Sequence, residues 1–288
     1  EKASFNDIDK KKIEWYLKQR ENTRKVSKKI NIKIKSLLQN IGALKGSKPT
    51  NAGIFFFGKY PQKFLYNARL RLVKFKGTKT TNITLDSLDC DGTISEMITK
   101  AEDFIRKNIR LVGERTEKSF KREDKFEYPI RALREAIINA LIHRNYFETG
   151  DVRVFFFDDR IEIINPGSFP KGISPKNPKH KPINQILCQL VYDTGFIEKY
   201  GSGINMMKDL SRKWENKEPY YILHPIETKV IFESNIKEPT FIEIPKEFNE
   251  RQKKALEYIN TKKRITSREY RKINNISKET AWKDIREL

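Results

Sequence analysis

The stretch 129–145, PIRALREAIINALIHRN, constrains this chain more than any other segment. Ile130, Leu133, Ala136, Ile137 and Leu141 recur at helical spacing, so it reads as a largely apolar helix over 130–143. Glu135, Asn139 and His143 stand four residues apart and project from one face of that helix. A carboxylate, an amide and an imidazole on an otherwise apolar helix are costly to bury unpaired. The fold must therefore bring polar partners to that face.

Two later segments can supply them. Asn165-Pro166-Gly167 closes a strand, and its glycine permits close approach of a planar ligand. Gly201-Ser202-Gly203 opens a helix, whose free N–H groups and positive dipole end suit a phosphate. The plainer alternatives are a surface pairing of Glu135 with Arg131 or Arg134, a backbone cap by Asn139 and a structural role for His143. On that reading Gly201 and Gly203 make only a helix-entry turn.

Around this centre the chain reads as mixed α/β. Helices are expected over 7–20, 25–41, 93–110, 183–193 and from Gly203 to about 213, by apolar periodicity and bounding glycines. Strands are expected over 53–58, 68–76, 151–157 and 160–164, the last two joined at Asp158-Asp159, with a hairpin over 220–233. The charged run before Pro129 and the Pro/Lys/Asn-rich 165–182 read as loops, and 235–248 as a linker. Gly42 to Lys48 superficially suggests a phosphate loop, but its glycines are too close together and no Lys-Ser/Thr follows. That excludes a P-loop motor.

No stretch approaches the ~20 apolar residues of a membrane span. Cys90 and Cys188 form neither a metal-ligand spacing nor a disulfide framework, and read as free thiols of a reducing, cytoplasmic compartment. The net charge of +21 is unevenly spread. Residues 1–50 hold 14 basic against 5 acidic residues, and 249–288 hold 12 against 6, so the excess sits toward the ends, as expected for contact with a polyanion. A uniformly lysine-rich surface is the alternative. Because the chain begins at Glu1 rather than Met, a preceding natural segment is expected.

Glu135-x3-Asn139-x3-His143, then a strand into Asn-Pro-Gly, then Gly-Ser-Gly before a helix, resembles the N-box, G1 and G2 order of the GHKL ATPases. The run YPIRALREAIINALIHRNY…RIEIINPGSFP…GFIEKYGSGI resembles the C-terminal half of the Schlafen/AlbA-type transcriptional regulators, often labelled helicase-related after RecG. The segments 49–58 and 69–77 are similar to the stretch joining that family's two halves, so the likeness covers about 49–235. It implies a Bergerat-like two-layer sandwich of mixed sheet and helices, with ATP and magnesium as ligands. Glu135 would polarise the attacking water, Asn139 would hold magnesium, and Gly201, Ser202 and Gly203 would face phosphate. His143, Asn165, Gly167 and Asn184 complete the implied nucleotide site. Asn165 stands where an adenine-binding Asp is expected, Phe169 replaces a glycine, and Ile183 and Gln185 flank Asn184 in place of the family's neighbours. An amide accepts from an adenine amino group more weakly than a carboxylate, which favours binding over efficient hydrolysis.

From Phe248 onward three short amphipathic helices are expected. The first covers 249–260 with Ala255, Leu256 and Ile259 inward, and the second opens on Thr266 with Glu269 completing a capping box. The third starts at Ser277 and turns Ala281, Ile285 and Leu288 inward, after a corner at Asn274-Asn275-Ile276. This resembles a winged helix-turn-helix whose wing is expected to follow Leu288. Its last helix would lie in the major groove of double-stranded DNA, with Lys278, Trp282, Lys283 and Arg286 facing bases or phosphates. A protein-interaction module is the alternative. Residues 1–48 read as a basic helical tail of an AlbA-like domain, with Lys25, Lys28, Lys29, Lys33 and Lys35 available to phosphate.

The expected organisation is thus 1–48, a connecting region 49–117, a GHKL-like domain 118–235, a linker 236–248 and a DNA-reading module 249–288. The expected function is a DNA-binding transcriptional regulator with a central ATP-binding-like domain, assembled as a homo-oligomer, a dimer. An ATPase component of a DNA-processing or defence system is the alternative, and a nucleotide-free dimerisation scaffold the second.

Overall fold

The computed structural model describes residues 2–24, 33–115, 122–178, 181–198, 201–235, 249–262 and 265–286. Residues Glu1–Ile236 cluster as one unit and Lys237–Leu288 as another. In chain order the first unit holds α1 Lys10–Arg24, α2 Ile34–Asn40, a small hairpin of β1 Leu44–Lys45 and β2 Lys48–Pro49, and α3 Asn51–Phe57. Next come β3 Leu70–Phe75, β4 Thr84–Cys90, α4 Ile94–Asn108, β5 Leu111–Arg115, β6 Arg122–Phe126 and α5 Ile130–His143. The unit then runs through β7 Val152–Phe156, β8 Arg160–Pro166, α6 Gln185–Asp193, α7 Gly203–Lys213, β9 Tyr220–Leu223 and β10 Glu227–Glu233.

Six strands form one mixed sheet in the order β4-β3-β7-β8-β10-β9. Among the described strands only β3 and β7 run parallel, which requires a crossover; the intervening α4, β5, β6 and α5 supply it. The pairings Val154↔Ile163, Val230↔Ile163 and Leu72↔Val154 put these residues on one face of the sheet. That face buries them in the main core with Ile98, Ile105, Leu133 and Ile137 of α4 and α5. The opposite face carries a small cluster of Val73, Phe75, Phe155 and Phe157, beside the ion pairs Arg153–Glu227, Arg160–Glu162 and Lys229–Glu162. The architecture is the expected α+β sandwich of mixed sheet and helices.

Local detail departs from the sequence reading in several places; the hairpin at 44–49 was not expected, and residues 25–32 of the helix expected over 25–41 lie outside the described residues. Residues 53–58, expected as a strand, lie largely in α3, where the Thr50 side chain caps the helix by accepting from the Gly53 amide. A continuous apolar run does not separate a strand from a helix buried all round, and Phe55, Phe56 and Phe57 are all buried. Residues 84–90, with two aspartates, gave no strand signal yet form β4, held by register against β3. The charged run before Pro129 contains the β5–β6 ladder, from Leu111↔Phe126 to Arg115↔Arg122.

The described residues of the second unit form α8 Glu250–Lys262, α9 Ser267–Asn274 and α10 Lys278–Arg286, and the linker expected over 236–248 lies outside the described residues. Ala255, Tyr270 and Ala281 form its core, with Ile265 and Ile276 against them. The Thr266/Glu269 capping box is present, and Asn275 turns the corner at φ +49°, a left-handed conformation that Asn tolerates. The expected inward positions Leu256, Ile259, Ile285 and Leu288 lie outside the residues whose side chains are described. Asp284 is buried, paired with Arg251 at 2.8 Å and accepting from the Tyr270 hydroxyl at 3.0 Å. The Arg251 guanidinium lowers the proton affinity of that carboxyl.

Candidate functional site

α5 buries Ala132, Leu133, Ala136, Ile137, Ile138, Leu141 and Ile142, and this leaves Glu135, Asn139 and His143 half-buried along one edge. All three line a solvent-open cleft of about 1100 Å³, adjoining open solvent included. Its sheet side is built by Ile163 and Asn165 of β8, Thr228 and Val230 of β10 and Tyr221 of β9. The registers Thr228↔Asn165 and Val230↔Tyr221 place these residues on the helix-covered face. Phe169, Pro170, Ile173 and Lys181 form one wall; Ile197, Glu198, Gly201, Gly203 and Ile204 form the other.

The N-terminus of α7 meets the polar face of α5. Asn139 Nδ2 donates to Glu135 Oε1 at 3.1 Å. A Cβ added at Gly203 would collide with the Glu135 carboxylate and stand 3.3 Å from Asn139 Nδ2. A side chain at Gly203 would thus displace the Glu135 carboxylate, whereas Gly201 is favoured by its φ of +66°. Burial raises the proton affinity of Glu135, opposed by the Asn139 hydrogen bond and by Arg131 and Arg134. Arg134 itself pairs with Glu102 at 3.7 Å and lies over the Phe196 ring. The proton affinity of Tyr221 is raised too, by burial and then by the charge of Glu135.

Gly167, Asn184 and Ser202 do not line the cleft. Gly167 has φ +127°, and an added Cβ would meet the Asn145 backbone nitrogen at 3.2 Å. The close approach it permits is to its own chain, not to a planar ligand. Asn184 donates to the carbonyls of Ile142 and Arg144, both at 2.9 Å, and so ties α6 to the end of α5. Ser202 precedes α7 without a side-chain cap. Asn165 does line the cleft, and its Oδ1 is a buried acceptor with no partner. An unpartnered buried carbonyl is unfavourable unless a ligand donor or water meets it.

Sequence reasoning missed Tyr221, Thr228 and Lys181, because nothing local marks a residue that reaches a site through sheet register or a loop. It also missed the support given by α1. The Arg24 guanidinium donates to the carbonyls of Tyr192 (2.6 Å) and Ile197 (3.1 Å) and pairs with Glu198 at 3.3 Å. Tyr16, fully buried, donates to Asp193 at 2.6 Å. α1 thereby holds the segment leading to Gly201. Of the lysines singled out near the N-terminus, Lys33 and Lys35 are exposed; Lys25, Lys28 and Lys29 lie outside the described residues.

On α10, Lys278 is exposed and Trp282 is 63% exposed; the side chains of Lys283 and Arg286 lie outside the described residues. Among the described residues no helix is long and apolar enough to cross a membrane, and no group of three or more His, Cys, Asp or Glu could hold a metal.

Residues 150–232 match a family described as "Putative ATP-dependent DNA helicase recG C-terminal", and residues 1–71 match a domain of unknown function. Among solved structures the chain is similar to the DIP2311 protein of Corynebacterium diphtheriae, with a TM-score of 0.66 at 18% identity. The likeness covers 99% of this chain and 58% of that one, and at this identity it concerns the fold. No curated protein matches. Glu135 and Asn139 precede the matched segment, which contains Asn165, Gly201, Gly203, Tyr221 and Thr228. The sheet side of the cleft and the α7 turn therefore belong to a segment similar to an ATPase-like domain.

Proposed function

We propose that this chain is a DNA-binding regulator whose cleft binds ATP with magnesium and whose C-terminal module, 249–288, reads duplex DNA. The observation that carries the nucleotide reading is the buried, unpartnered Asn165 Oδ1 in a cleft walled by apolar residues. An adenine amino group is a donor that such an acceptor suits. The residues present fit the group. Ile163, Val230 and Ile204 offer apolar contact to a base, and the α7 N-terminus offers free amides to phosphate. The described lining holds Lys181 but also the carboxylates of Glu135 and Glu198, so a bare triphosphate would be poorly neutralised. A divalent cation arriving with the nucleotide offsets that charge, and Asn139, whose Nδ2 is engaged by Glu135, keeps its carbonyl oxygen for the metal. Glu135, with its raised proton affinity, is the residue suited to orient or accept a proton from water.

Calorimetric titration with ATP and magnesium tests the reading. Wild-type binding is expected, and Asn139→Ala should lose its magnesium dependence with an affinity loss of about tenfold. No binding at millimolar ATP would sink the nucleotide reading. Gly203→Ala probes the α7 contact separately: its Cβ displaces the Glu135 carboxylate, so nucleotide affinity should fall by about tenfold while the fold, measured by circular dichroism, persists. An unchanged affinity would place the phosphates elsewhere. Support for the DNA reading comes from the charge of 249–288, the capped α9, the left-handed corner at Asn275 and the exposed Lys278 and Trp282. A dimer is part of the same proposal.

A further inference from the structure

Two asparagines line the cleft, Asn139 and Asn165, and a third, Asn184, lies outside it. Asn184 is pinned by two donated hydrogen bonds, and Asn139 is pinned by one to Glu135. Asn165 is not pinned. Its carbonyl oxygen is buried without a partner, and no described side chain holds its amide in one orientation. Thr228, its cross-strand neighbour, donates its hydroxyl to the Gly167 carbonyl at 2.9 Å and so does not donate to Asn165.

That freedom has a chemical consequence for base selection. A carboxylate presents only acceptors, whereas an amide presents one acceptor edge and one donor edge. Adenine offers a donor at its 6-amino group beside an acceptor at N1. Guanine offers an acceptor at O6 beside a donor at N1. A half-turn of the Asn165 amide exchanges its two edges and matches it to either base, and in this cleft the half-turn breaks no hydrogen bond.

We infer that Asn165 makes the cleft a general purine-nucleotide site, accepting guanine as well as adenine nucleotides through rotation of its unpinned amide. The inference rests on the nucleotide reading proposed above and deepens it. The apolar walls contribute no selection between the two purines, since both present similar faces to Ile163, Val230 and Ile204.

The test is a set of titrations of the full chain with magnesium and ATP, GTP or CTP. GTP and ATP are expected to bind within ~30-fold of one another, about the discrimination that one bidentate contact provides. Asn165→Ala should lower both affinities together and leave the ATP/GTP ratio near one. Circular dichroism and thermal melting establish that the variant is folded, and the wild-type ratio stands whether or not the variant folds. If ATP binds and GTP is more than ~30-fold weaker, or if a folded Asn165→Ala weakens one purine nucleotide and leaves the other unchanged, the inference is overturned and the nucleotide reading survives. If neither purine nucleotide binds, the nucleotide reading itself fails, and this inference with it.

Discussion

Arg144→Met is expected to destabilise the first unit by about 3 kcal/mol, read as a lowered urea midpoint with an unchanged slope. Arg144 is fully buried at the end of α5, yet among the described residues no carboxylate pairs with its guanidinium. It donates instead to the backbone carbonyls of Asn67, Glu148 (2.9 Å) and Gly150, and its plane lies 4.9 Å from the Tyr146 ring centre. One side chain thus ties the loop before β3 to the loop before β7, at the ends of the two parallel strands. Met fills the volume but takes the guanidinium away from three carbonyls: Gly150 is left with no donor, whereas Asn67 still accepts from the Arg69 amide and Glu148 from the Asn67 side chain, and each hydrogen bond to a charged donor that is lost costs ~1.5–3 kcal/mol. Relief from burying a cation offsets part of that sum, and Glu148 and Gly150 are exposed enough for their carbonyls to regain water. A loss below ~1 kcal/mol would show that the loops hold without the guanidinium.

Removal of 249–288 is expected to abolish most duplex-DNA binding, and intact protein should bind with a steep salt dependence. If Lys278, Lys283 and Arg286 each neutralise one phosphate, log K should fall by about 2.7 per decade of salt. Affinity then drops roughly 40-fold between 50 and 200 mM. Replacing Lys278 with Ala should reduce the slope by about one on any DNA sequence, whereas Trp282→Ala should alter preference among sequences more than the slope. Arg251 is excluded from this count, because Asp284 already engages its charge. A truncated protein with unchanged affinity and slope would overturn the proposal and move attention to the basic residues of 1–48.

What the sequence determined by itself was whatever repeats over short distances. α5 lies at Ile130–His143 as its periodicity requires, β7, β8 and the β9–β10 hairpin follow their alternation, and the Thr266/Glu269 box caps α9. Glu135, Asn139 and His143 share a face because a helix places i and i+4 together whatever surrounds it. The α+β class follows from those elements.

The tertiary structure alone decided the rest. Whether the all-apolar 53–57 became helix or strand depended on what would surround it, since either form buries such a run. Gly167, Gly203 and Asn184 have roles set by the chain that packs against them: the Asn145 backbone, the Glu135 carboxylate and the end of α5. Tyr221 and Thr228 enter the cleft through sheet register, and Arg24 grips Tyr192 and Ile197 from 168 and 173 residues away in sequence. Hydrogen bonds and close approaches across such separations depend on where two distant backbones come to lie, and no local propensity encodes that distance.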